Sequence, residues 1–69
     1  MDPAATVRMI LDAVNSGDVE SARESCADLR GWLRSGGFPP NGWSPEQART
    51  FLVTVGAALN RLYRVGGPS

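Results

Sequence analysis

Asn15-Ser16-Gly17-Asp18 ends one amphipathic helix and begins another within four residues, and this link decides the fold. Before it, Val7, Ile10, Leu11 and Val14 recur at i, i+3, i+4 and i+7, the spacing of a helix with one buried face. After it, Val19, Ala22, Cys26, Leu29 and Leu33 alternate in steps of three and four, a heptad-like seam. Gly17 can take the left-handed conformation that closes a helix, and the Asp18 carboxylate can accept from the free N–H groups that open the next. A link this short folds the two helices back antiparallel, seam against seam.

Working outward, Asp2 is a fitting N-cap with Pro3 at the first helical position, where its missing N–H costs nothing. The first helix is expected over about 3–15 and the second over about 19–34. Gly36 and Gly37 offer the left-handed terminator of the second, and Pro39-Pro40 forbids continuation. Gly31 lowers helix propensity by about 1 kcal/mol relative to Ala and predicts close approach of a neighbouring helix or loop. Ser44-Pro45-Glu46-Gln47 is a capping box, with Trp43 and Ala48 placed for a hydrophobic staple. Phe51-Leu52-Val53-Thr54-Val55 has strand-like composition. However, Ala48, Phe51, Leu52, Val55, Leu59 and Leu62 keep helical spacing, and no breaker comes before Gly66. The expectation is an all-α single domain over 1–69: an antiparallel helical hairpin plus a longer third helix at about 45–65, forming an up-down-up three-helix bundle. Asp18-Val19-Glu20-Ser21-Ala22-Arg23 and Ser44-Pro45-Glu46-Gln47-Ala48-Arg49 open their helices alike, through duplication or through shared capping rules.

Seven Arg balance seven Asp and Glu, so no bulk charge draws the chain toward nucleic acid, membrane or acidic ligands. Every basic residue is Arg, which GC-rich codon choice explains more simply than selection for bidentate anion contacts does. The lone Cys26 rules out an internal disulfide, Met1-Asp2-Pro3 carries no apolar leader, and Phe51 to Leu59 is far short of the ~20 residues that span a bilayer. A cytoplasmic protein is expected.

Catalysis is not expected. The chain has no His and no Lys, which removes the commonest general bases and Schiff-base formers. Cys26 lies on the inward seam and reads as a small buried hydrophobe. Glu20 and Glu24, with Arg23 beside them, read as a solvated face rather than an acid–base pair. No spacing suits a metal, and no glycine loop opens a helix from a strand, so no cofactor is expected.

Two binding readings come from side chains. Arg23, Arg30 and Arg34 fall on one stripe of the second helix, interrupted only by Ala27, while Arg49, Arg61 and Arg64 decorate the third. A three-helix domain so equipped could sit in a nucleic-acid groove. Against this, the overall charge is neutral and only Asn60 and Gln47 could address base edges, so an ordinary solvated face is the competing explanation. Trp32, Phe38 and Trp43 bracket a Gly-Pro loop. They either clamp that loop onto the helix ends or form a partner-docking surface, and Trp32 should keep one ring edge exposed.

Self-association is the third. A chain of this length buries only about 60% of its unfolded surface. Met9 and Ala13 on the first helix, and Val53 and Ala57 on the third, fall off the expected core faces, and Gly56-Ala57-Ala58 would let another helix come close. The third helix should overhang the Gly17 link, leaving Leu62, Tyr63 and Val65 uncovered, and a symmetric dimer through these residues would bury them. Scattered surface apolar residues are the plainer account.

The run from Ser16 to Arg23, with Asp28 to Pro40, resembles short uncharacterised helical-hairpin proteins of bacterial and phage genomes. In those a Gly-Asp link and a Trp-Leu-x-x-Gly-Gly-Phe-Pro-Pro ending recur. The resemblance covers about the first forty residues and implies no activity. The hairpin is also locally similar to a tetratricopeptide-type helix pair, without that repeat's aromatic pattern. The expected function is therefore a non-enzymatic protein–protein interaction module, self-associating as a dimer, with a small nucleic-acid-binding regulator as the alternative.

Overall fold

The computed structural model describes the backbone of residues 2–66 and the side chains of residues 2–61. Three helices follow in order: α1 (Pro3–Ser16), α2 (Val19–Arg34) and α3 (Pro45–Gly66). α1 packs against α2 and α2 against α3, so the middle helix carries both neighbours. Among the described residues no helix is long and apolar enough to cross a membrane.

Local chemistry sets the helix ends. The Asp2 carboxylate accepts from Ala4 N at 3.1 Å and Ala5 N at 3.4 Å, and the Thr6 hydroxyl donates back to Asp2 O at 3.0 Å. Gly17 has φ 74°; its N–H donates to Val14 O at 3.1 Å, and that of Asp18 donates to Ala13 O at 2.8 Å. α2 closes with the same pair of bonds one helix later. Gly36, at φ 90°, donates to Leu33 O at 3.2 Å, and Gly37 donates to Trp32 O at 2.8 Å. Both are Schellman endings, which satisfy carbonyls that a helix otherwise leaves open. At α3, Gln47 N donates to Ser44 Oγ at 3.1 Å and Ser44 N to Gln47 Oε1 at 2.8 Å, closing the capping box.

One core joins the three helices: Val7, Ile10 and Ala13 of α1, Ala22, Cys26 and Leu29 of α2, and Leu52, Val55 and Leu59 of α3. The seam of α2, and that of α3 from Ala48 to Leu59, are those the spacing predicts, but the face of α1 is rotated. Leu11, expected inside, is 49% exposed, while Ala13, expected outside, is buried. Thr6 is buried too, its hydroxyl already bonded to Asp2. The two-residue link holds α1 and α2 close together. The buried residues nearest that link on either side are the small Ala13 and Ala22, and a larger side chain there would force the helices apart.

One further expectation is corrected. A Cβ built on Gly31 meets nothing, so no neighbour approaches it; the crowded glycine is Gly37, where a Cβ would strike the Trp32 indole. Trp43 packs on the core and meets the Phe51 ring edge-on, with centroids 5.3 Å apart at 72°.

Candidate functional site

The helix phases of α2 and α3 place two sets of side chains along one groove. On α2, Arg23, Ala27, Arg30 and Arg34 step by four, three and four residues, on the flank turned toward α3. On α3, Arg49, Val53, Gly56 and Asn60 repeat the same steps. α3 runs antiparallel to α2, which brings Arg30 and Arg34 beside Pro45 and Arg49 at one end of the groove. Toward the other end, Arg23, Cys26 and Ala27 stand beside Gly56, Leu59 and Asn60. The larger part encloses about 720 Å3 and the smaller about 340 Å3, and both are lined by Arg30 and Leu52.

The floor is apolar and the rim cationic. Leu52 and Leu59 are buried beneath it, Leu33 and Gly56 are half-buried, and Val53 stands 72% exposed. Arg23, Arg30, Arg34 and Arg49 are all exposed, and among the described residues no carboxylate lines the groove. Of the acids of α2, Glu20 continues the arginine stripe one turn before Arg23, beyond the residues that line the groove, while Glu24 and Asp28, one residue on from Arg23 and Ala27, turn progressively away from it. A cleft of this shape, with a small-residue floor and guanidinium walls, can shield apolar area while pairing with carboxylates or phosphates.

Spacing alone assigns these side chains to two unrelated surfaces; the fold merges them. Val53 and Gly56, read as self-association residues, share one cleft with Arg23, Arg30, Arg34 and Arg49, read as nucleic-acid residues. Ala57 and Arg61 are exposed on α3 but line neither part of the groove. The side chains of Leu62, Tyr63, Arg64 and Val65 lie outside the described residues.

The aromatic residues separate into two pairs. Trp32 meets Phe38 edge-on, with centroids 5.4 Å apart at 85°, and donates from Nε1 to Phe38 O at 2.8 Å. Trp43 belongs with Phe51. Phe38 remains 63% exposed, so the loop is tied down through the indole of Trp32 and the buried Pro40 rather than by burial of Phe38. The Pro40–Trp43 turn closes with Trp43 N donating to Pro40 O at 2.9 Å over Gly42 at φ 85°, the type II arrangement.

Cys26 is buried at the groove's floor. Burial pushes its thiol up from the ordinary value, with the Arg30 charge pulling weakly the other way. The thiolate is therefore scarce at neutral pH. Among the described residues no group of three or more His, Cys, Asp or Glu could hold a metal ion. No protein-family model, curated protein or solved structure matches the chain.

Proposed function

We propose that this protein is a small helical protein–protein interaction module without chemistry of its own, and that the α2/α3 groove is its docking face. The observation that carries this reading is the pairing of two heptad-spaced stripes across an open cleft. Arg23-Ala27-Arg30-Arg34 faces Arg49-Val53-Gly56-Asn60, with apolar side chains between them. Heptad-spaced stripes on two antiparallel helices are the bed into which a further helix packs. The single thiol, buried and unreactive, suits a reducing compartment, and the cytoplasm is the proposed location.

A photo-crosslinking residue at position 53, introduced into the protein in its native cell, tests this. The expected adduct is a polypeptide, absent when the same residue stands at the exposed position 11 on α1, away from the groove. A nucleic-acid adduct at position 53, or equal adducts at both positions, contradicts it.

The exposed Val53 and Ala57 with Gly56 between them also support a second reading, in which the occupant is another copy of this chain. A concentration-dependent mass and melting point would accompany it.

A further inference from the structure

We infer that the occupant of the groove is an acidic amphipathic helix of a partner protein, about three turns long, with carboxylates flanking a strip of small and medium apolar side chains. This rests on the docking reading above and deepens it by stating the partner's chemistry.

Length comes first. Arg23 and Arg34 are eleven residues apart, so the α2 wall runs for about 16 Å at 1.5 Å per residue, or three helical turns. Width comes next. The floor between the walls presents Ala27, Gly56 and Val53, and a Cβ built on Gly56 meets nothing within 4 Å. Nothing inside this chain therefore requires glycine at that place, and a helix from outside could come close over it. Charge settles the flanks. Arg30 and Arg34 on one wall and Arg49 on the other face no carboxylate in the groove, so an occupant with acids along both edges would meet guanidinium on both sides.

The same features argue against the other occupants. A nucleic-acid backbone offers no apolar strip to cover Val53. The acids Glu20, Glu24 and Asp28 on the same helix would repel a long polyanion, and the whole chain is electrically neutral. A second copy could present those three carboxylates, yet the exposed residues beside them on α2 include Ser21 and Gly31, which offer no apolar strip.

The test uses two synthetic helical peptides of three heptads with the same leucine and alanine seam, one flanked by Glu and one by Lys. Fluorescence anisotropy at about 50 mM salt should show the Glu peptide binding the full chain at least tenfold tighter than the Lys peptide. The preference should reverse for the double variant Arg30→Glu/Arg49→Glu. Gly56→Leu should weaken binding at least tenfold with no fall in melting temperature, a combination that a purely structural role for Gly56 does not produce. Equal binding of the two peptides overturns the inference, as does an unchanged preference after charge reversal. Duplex DNA displacing the Glu peptide at lower concentration overturns it in favour of nucleic acid. Self-association of the protein that excludes the Glu peptide overturns it in favour of a second copy. If position 53 crosslinks to a polypeptide while the two peptides bind alike, the docking reading stands and the acidic partner falls.

Discussion

Trp32 holds Phe38 twice: its indole Nε1 donates to the Phe38 carbonyl at 2.8 Å, and its ring meets the Phe38 ring edge-on at 5.4 Å. Between them lies Gly37, pressed under the indole, and the Trp32 carbonyl takes the Gly37 N–H at 2.8 Å and the Ser35 hydroxyl at 2.9 Å. Trp32 thus takes part in ending α2 through its carbonyl and fixes the path of the loop through its indole. The placement of Arg49 beside Arg30 and Arg34 depends on that corner.

Gly37→Ala and Gly31→Ala should therefore have opposite signs. At position 37 the added methyl strikes the indole, and overpacking of this kind costs about 1–3 kcal/mol. At position 31 the methyl enters open space on an exposed helix face and should stabilise by up to about 1 kcal/mol. Chemical denaturation of the two variants checks this; a shift of the same sign in both contradicts the close approach of Trp32 to Gly37.

Trp32→Phe keeps a ring but removes the donor to Phe38 O, at an expected loss of about 1 kcal/mol. The signature is local. Native-state proteolysis between Gly36 and Trp43 should accelerate more than cleavage elsewhere, and an unchanged cleavage rate there would mean the hydrogen bond does not anchor the loop.

Ser44→Ala removes the acceptor for Gln47 N and should lower stability by about 1 kcal/mol. Gln47→Ala breaks the reciprocal bond to Ser44 N, so the double variant should lose less than the two single losses combined. Full additivity would show that the two bonds do not act as a box.

These ends were legible in the sequence because each is chemistry within a few residues: Asp2, Gly17-Asp18, Gly36 and Ser44-Gln47 all cap or close as their spacing predicts. The α1 face was not, because Leu11 and Ala13 have comparable claims on the core until the position of α2 is known. Gly31 misleads for the same reason, since only the fold shows that the glycine with a close neighbour is Gly37. The groove was half legible. The stripe Arg23-Ala27-Arg30-Arg34 is visible on α2 alone, but its meeting with Arg49, Val53 and Gly56 depends on the antiparallel register of α3.

Two ionisable groups give opposite pH signatures. The Ser21 hydroxyl, and then its backbone N–H, hold the Asp18 carboxyl below its ordinary value. Its contribution to stability is present above the unfolded carboxylate range, near pH 4, and is lost as pH falls through the lower folded value. Burial raises the Cys26 thiol, so its contribution is intact below the unfolded thiol range, near pH 8.5, and is lost as pH rises toward the folded value. Melting curves of Asp18→Asn and Cys26→Ala should each flatten one limb of the pH profile, the acid limb for the first and the alkaline limb for the second. Thiol labelling of native Cys26 should also be far slower than in the unfolded chain.

The docking of an acidic helix between α2 and α3 is tested most directly by mapping where the Glu-flanked peptide lands. In an amide NMR titration of the isotope-labelled protein, the largest shifts should fall on Ala27, Arg30, Val53 and Gly56, with Leu11 and Asp12 of α1 unmoved. Shifts centred on α1 or on the Trp32–Phe38 corner, or none at saturating peptide, would contradict it.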